Sequence, residues 1–127
     1  KIKVIADQFS APTSTTTLAR ACWALISNVR SSFGQSQICH FSDLGIGSWY
    51  DIANCISEYA KELKLLSNPA LIKPIKTCQY PVNAIRPRFS ALDLSENKNY
   101  FESNVYWRKS IKDILYSLSE NKIIYGK

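Results

Sequence analysis

The chain never sustains a strand-like run for long. Residues 2–6 (Ile-Lys-Val-Ile-Ala), 37–41 (Gln-Ile-Cys-His-Phe) and 71–76 are its clearest β runs, each only five or six residues. Between them lie stretches whose apolar residues recur at helical spacing. Leu18, Ala21, Cys22, Leu25, Ile26 and Val29 form one stripe; Trp49, Ile52, Ala53, Ile56, Tyr59, Ala60 and Leu63 form the next. Short strands alternating with helices constrain the chain to an α/β arrangement. Strands so few and so short do not suit a free-standing doubly wound sheet, and small sheets of this kind usually complete a larger body.

The punctuation fixes the order of elements. Ser10, Pro12, Thr13 and Ser14 mark residues 7–14 as a loop. Thr15 or Thr16 is the expected cap of a first helix running to about Val29, followed by a turn around Gly34. Gly45-Ile46-Gly47 breaks the chain, and Ser48 is a good helix cap. Asp51 falls three residues later, where a carboxylate answers the cap and favours the positive helix start. That helix should run to about Leu65, with Ser67-Asn68-Pro69 ending it. Pro81 and Pro87 make 77–90 an extended loop. A fourth short strand is expected at 91–94, a short helix from Ser95 to about Phe101, and a last helix over 105–119. In that last helix Trp107, Ile111, Ile114, Leu115 and Leu118 should face inward. The expectation is a single domain over 1–127, with few short strands and about four helices.

Charge narrows the partners. The net charge of +6 is lopsided: residues 65–127 carry ten Lys/Arg against five Asp/Glu, whereas residues 1–64 carry six against five. No acid lies between Glu62 and Asp93, while Lys64, Lys73, Lys76, Arg86 and Arg88 all do. Such a field attracts anions. The basic residues are scattered rather than gathered on an arm or helix, so no nucleic acid partner is expected. No apolar run approaches the roughly 18 residues a membrane helix needs, so no membrane partner is expected either. Cys22, Cys39, Cys55 and Cys78 lack metal-ligand spacing, and His40 is the only histidine. Free cysteines buried as small hydrophobes suit a reducing cytoplasm. The sequence opens at Lys1 and contains no methionine, which suggests a piece of a longer protein.

Few residues carry chemistry. His40 lies in a strand-like run, where a structural role outweighs that of a base. Ser48 is not in a nucleophile elbow, and Gly45-Ile46-Gly47 reads as a tight turn, since the full dinucleotide fingerprint is missing. Arg86 is the sharper candidate. It precedes Pro87, which biases its backbone to an extended form that projects the side chain. A guanidinium presents a planar fork matched to phosphate oxygens.

These residues fall in a recognisable series. Asp7-Gln8, Ala11-Pro12-Thr13, Leu18-Ala19, Cys39-His40-Phe41, Ser48-Trp49-Tyr50-Asp51, Pro74-Ile75, Tyr80-Pro81, Arg86-Pro87, Ser90, Leu92-Asp93 and Trp107 follow in order. The series resembles the second half of dTDP-4-dehydrorhamnose reductases, which are extended short-chain dehydrogenases. The resemblance implies the small C-terminal substrate-binding lobe of a Rossmann-type enzyme, with the N-terminal Rossmann half missing. It implies NADPH-dependent reduction of a 4-keto deoxyhexose on dTDP, toward dTDP-rhamnose, with no cofactor held by this chain itself. The arginine matching Arg86 resembles a contact for the nucleotide diphosphate, and Gln8, Thr13 and Ser90 are further substrate-side candidates. The family's Tyr-x-x-x-Lys pair does not occur, since no tyrosine here is followed four residues later by lysine. Thr17 and Ser10 stand where the family often has Asp and Gly. The resemblance leaves a homodimer open. A second reading is a non-catalytic regulatory module, because the Arg86-Pro87-Arg88 run is also similar to one in the beta subunit of methionine adenosyltransferase.

Overall fold

A computed structural model describes residues 1–29, 38–81, 84–95 and 105–125, with side chains at residues 28, 29 and 121–125 left aside. Strand β1 (Ile2–Ile5) pairs in parallel with β4 (Ile72–Ile75), in the register Ile2 to Ile72 through Ile5 to Ile75. Strand β2 (Phe9–Ser10) pairs antiparallel with β3 (Gly47–Ser48). Helices α1 (Thr15–Val29), α2 (Trp49–Glu62) and α3 (Trp107–Tyr125) complete the described architecture, with a short 3-10 turn at Thr77–Gln79. The result is a mixed α/β fold, three α-helices and few short strands among the described residues.

Local chemistry explains the boundaries. Ser48 opens α2 as expected: its Oγ accepts the Asp51 N–H at 3.1 Å, and Asp51 Oδ2 accepts the Ser48 N–H at 2.8 Å. The helix stops at Glu62 rather than Leu65, because Lys64 turns into the left-handed region at φ 55°. The Leu65 N–H then reaches back to the Ala60 carbonyl at 2.8 Å and closes the end. Helix α1 starts where expected, but Ser14 caps it instead of Thr15 or Thr16. Ser14 Oγ accepts the Thr17 N–H at 3.1 Å.

Other expectations fail. Residues 38–41 form no strand, and residue 37 and the turn at 31–36 lie outside the described residues. Residues 91–94 also form no strand, while the helix expected from Ser95 falls almost wholly outside the described residues. In their place the expected loop at 7–14 supplies β2. Two-residue strands are too short to leave an alternating pattern in sequence. Helix α3 runs longer than 105–119 and buries less of its stripe: Trp107 is buried, whereas Ile114 and Leu118 are exposed. Of the four free cysteines only Cys55 is buried; Cys22 and Cys78 are exposed and Cys39 is intermediate. Burial in apolar surroundings pushes the Cys55 thiol up.

The core lies where α2 crosses the β1–β4 sheet and α3. Cys55 and Ala60 of α2, Ile75 of β4 and Trp107 of α3 are buried there. Gly45 and Gly47 serve this packing. Gly45 holds φ at +87°, and a side-chain carbon there would collide with the Tyr106 ring. One on Gly47 would lie 3.0 Å from Cζ2 of Trp107. The glycines therefore make room for Trp107 as well as turning the chain.

Candidate functional site

The site begins where β1 ends. The Ala6 N–H extends the pairing with β4 by bonding the Ile75 carbonyl at 2.9 Å. Beyond it, Asp7 Oδ1 accepts the Thr77 backbone N–H at 2.8 Å and the Thr77 hydroxyl at 2.7 Å. Gln8 Nε2 donates to the same Thr77 oxygen at 3.1 Å. The Thr77 hydroxyl, then its N–H, hold the Asp7 carboxyl below the ordinary carboxylate value, with Arg88 adding a smaller pull. These bonds tie together the segments that leave β1 and β4, 70 residues apart in sequence.

The next residue is clamped on both sides. Phe9 lies in β2 against Ser48, and its backbone also pairs with the segment around Phe89. The Phe9 N–H donates to the Arg88 carbonyl at 2.8 Å, and the Ser90 N–H donates to the Phe9 carbonyl at 3.0 Å. The Arg86-Pro87-Arg88 segment is thereby laid alongside Gln8. Pro87, which has no N–H to offer, falls just before this pairing.

A groove of about 340 Å³ opens between these parts, walled by Lys3, Val4, Ile5, Gln8, Trp49, Tyr80 and Arg86. It combines two cations, one amide and two aromatic rings, with no acid among the described residues of its wall. That set suits an anion carrying a flat apolar group. Of the four residues expected from sequence, Arg86 and Gln8 meet here. Thr13 does not: it borders a second groove of about 310 Å³ together with Trp49, Ile52, Ile56, Trp107 and Ile111. Ser90 lines neither groove. Its bonds go to the Phe9 carbonyl, from its N–H and, at 3.5 Å, from its hydroxyl. Trp49 borders both grooves and stands as the partition between them.

Sequence reading missed a polar hub under the second groove. Asp43 is 1% exposed and accepts from the Ser110 hydroxyl at 2.7 Å, the Thr17 hydroxyl at 2.6 Å and the Ser14 N–H at 3.2 Å. Its own N–H donates to Thr13 Oγ1 at 3.2 Å. Thr17, a departure from the family pattern, is thus a working member of this network. Nothing in the spacing of Thr13, Thr17, Asp43 and Ser110 announces the hub, because its members come from two loops and two helices. Trp49 and Tyr80 were visible as aromatics, but only their exposure marks them as walls. His40 and Phe41 also make contacts within the fold. At the edge of the Arg86 loop, Asp93 accepts the Ser95 N–H at 2.9 Å, and this bond holds its carboxyl below the ordinary value.

The family model of the RmlD substrate binding domain matches residues 1–120. A dTDP-4-dehydrorhamnose reductase from Aggregatibacter actinomycetemcomitans is 33% identical over 116 residues, covering 87% of this chain and 38% of that protein. The spore coat polysaccharide biosynthesis protein SpsK of Bacillus subtilis is 29% identical, covering 91% of this chain and 36% of its own length. A dTDP-4-dehydrorhamnose reductase structure from Clostridium acetobutylicum superposes with a TM-score of 0.73 at 28% identity, over 92% of this chain and 38% of that one. A Bacillus anthracis reductase solved in complex with NADP shares the fold, with a TM-score of 0.69 at 22% identity over 91% of this chain and 38% of that one. The chain therefore spans less than two fifths of the relatives it matches. Among the described residues, no helix is long and apolar enough to cross a membrane.

Proposed function

The chain belongs to the RmlD substrate binding domain family, and from that premise we propose that it is the substrate-side part of an NADPH-dependent dTDP-4-dehydrorhamnose reductase, holding the nucleotide diphosphate of a dTDP-sugar through Arg86. The observation that carries this reading is the meeting of Arg86 and Gln8 in one groove, acid-free among the described residues of its wall. A guanidinium can bond two phosphate oxygens at once, and Lys3 adds a second positive charge in the same wall. Gln8 has part of its amide committed to Thr77, so its role is to hold the groove's floor as well as to meet the ligand. Thr13 and Ser90 serve indirectly: Thr13 braces the loop through Asp43, and Ser90 anchors the Arg86 segment on Phe9.

Hydride transfer lies outside this chain's residues. It needs a cofactor held against the sugar carbonyl, and the chain has neither the glycine fingerprint nor a Tyr-x-x-x-Lys pair to fit one. A Rossmann half is the proposed source of both. The parallel β1–β4 sheet, two-stranded among the described residues, supports this, since parallel sheets are ordinarily larger and covered on both faces. Calorimetric titration of dTDP into the chain and into Arg86→Ala tests the site. Loss of the guanidinium should weaken binding by about 1.5–3 kcal/mol, and equal affinities would remove Arg86 from it. The chain alone should oxidise no NADPH in the presence of the keto-sugar.

A further inference from the structure

Helix α2 packs on both β1 and β4, and Trp49 at its start shares a groove with Gln8, just past the end of β1. The helix therefore runs back along the sheet, and its last turn lies near the beginnings of both strands. There the Leu65 and Leu66 N–H groups bond the Ala60 carbonyl at 2.8 and 3.1 Å, and the Leu71 carbonyl accepts the Ile2 N–H at 2.9 Å. The connection from α2 to β4 thus sits at the end of the sheet remote from Trp49 and Gln8. It leaves two leucines in water: Leu66 is 47% and Leu71 62% exposed. Apolar surface of this kind is unfavourable in water unless something covers it. The charges beside it are lysines. Lys61 and Lys64 are exposed at the end of α2, and Lys73 is exposed opposite Lys3 in the parallel ladder. Like charges placed opposite each other in a sheet repel. The acids nearest in sequence are already matched, Glu58 with Arg108 at 2.8 Å and Glu62 with Lys112 at 3.1 Å, and no acid follows until Asp93.

We propose that the connection between α2 and β4 is a landing surface for a bilayer rich in anionic phospholipid. Leu66 and Leu71 enter the headgroup region, and Lys61, Lys64, Lys73 and Lys3 meet the lipid phosphates. Composition favours a bilayer over an acidic protein. Protein interfaces are enriched in Arg and aromatic side chains and depleted in Lys. Residues 61–73 hold three lysines and neither an arginine nor an aromatic ring. A lysine gains from nearness to anionic headgroups without needing a fixed geometry, and its long stem reaches past apolar neighbours. Such contact is shallow and lies at the surface, distinct from the spanning helix that the described residues lack. The Arg86 groove opens beside Trp49, at the other end of α2, so the inference is independent of what that groove binds.

Flotation of the 127-residue chain with lipid vesicles tests the surface. Vesicles of equal parts phosphatidylcholine and phosphatidylglycerol should carry the chain, vesicles of phosphatidylcholine alone should not, and added salt should release it. Lys64→Gln should weaken binding about fivefold, and adding Lys61→Gln should weaken it about fivefold again. The pair Lys76→Gln and Lys109→Gln removes the same charge elsewhere and should change binding by less than about twofold. Leu71→Gln should lower binding while leaving its salt dependence as it was. All these positions are exposed, so each variant should keep the wild-type circular dichroism. Equal losses from the two lysine pairs would reduce the effect to net charge and overturn the proposal. Full binding by Leu71→Gln together with Leu66→Gln, or equal binding to phosphatidylcholine alone, would overturn it as well. So would failure to bind either vesicle. Soluble polyglutamate held as tightly as the anionic vesicles, through the same lysines, would replace the bilayer with an acidic polypeptide.

Discussion

Helices α1 and α2 are almost the same length, 15 and 14 residues, and both carry an apolar stripe at helical spacing. Their fates differ. Helix α2 lies across the β1–β4 sheet and against α3, buries Cys55 and Ala60, and is tied to α3 by Arg108–Glu58 at 2.8 Å and Lys112–Glu62 at 3.1 Å. The same two cations lie over the Trp107 and Tyr59 rings. Helix α1 buries Ala21, yet exposes Leu18, Cys22, Ile26 and Trp23, the last at 69%. Its hold on the rest is concentrated at its N-terminus, where Ser14 and Thr17 bond Asp43. The difference teaches that periodicity announces a face to be covered and says nothing of what covers it. For α2 the cover is in this chain; for α1 most of it is not among the described residues.

The largest test sets one tryptophan against another. Trp107 is 2% exposed and fills the space left by two glycines at the α2–α3 seam. Truncating it to alanine should cost about 3–5 kcal/mol by urea unfolding. Trp23→Ala on α1 should change stability by no more than about 0.5 kcal/mol, as for other exposed positions. Comparable losses would mean that α1 is packed as firmly as α2, and the contrast would collapse. Trp107→Phe refines the point. The buried indole N–H has no acceptor among the described residues, so removing it should cost less than the lost volume alone suggests.

A smaller effect is expected where α1 is held. Asp43→Ala removes the acceptor of the half-buried Ser14 N–H and of the buried Ser110 hydroxyl, while the Thr17 hydroxyl keeps the Ser14 carbonyl at 3.0 Å. Stranded donors of this kind should cost about 2–3 kcal/mol. The loss should be local: amide hydrogen exchange should quicken in α1 and change little in α2. Uniform quickening across both helices would show that Asp43 supports the whole fold, not one helix. Asp43→Asn, which keeps an acceptor oxygen, should fall between wild type and alanine.

The two helices also divide what was legible in sequence. The α2 start was readable because Ser48 and Asp51 are three residues apart and act within one turn. The α1 and β1 ranges were readable from local periodicity, as was β4. What failed was non-local. Strand β2 exists because Phe9 finds Ser48 on one side and Phe89 on the other, and neither partner is near it in sequence. The 38–41 run has strand-like composition, yet it forms no ladder there. The site divides the same way. Arg86 and Gln8 were marked by type and motif, and the groove unites them. Thr13 and Ser90 were marked by the same series, and they lie outside the Arg86 groove, with hydrogen bonds to Asp43 and to Phe9. Asp43, Trp49 and Tyr80 draw their importance from burial or exposure, which no spacing in the chain encodes.

The smallest effect probes the α2 start by pH. Ser48 donates its hydroxyl to Asp51 at 2.6 Å and its N–H at 2.8 Å, and these bonds, the hydroxyl foremost, hold the Asp51 carboxyl below its ordinary value of 3.8. A carboxyl depressed in the folded state stabilises it wherever the group is ionised in both states, which is above that ordinary value. The contribution shrinks as pH falls below 3.8 and vanishes once the folded carboxyl is protonated too. Asp51→Asn should therefore cost about 1 kcal/mol at pH 7, the usual worth of a cap, and progressively less in acid. Asp7, also depressed, titrates in the same window in both proteins, so only the difference between wild type and Asp51→Asn isolates the cap. Urea unfolding of both at a series of pH values from 7 to about 3 provides the comparison. A gap that stays constant into acid would mean that Asp51 acts through packing, and that α2 owes its start to the β2–β3 pairing beside it, not to the charge.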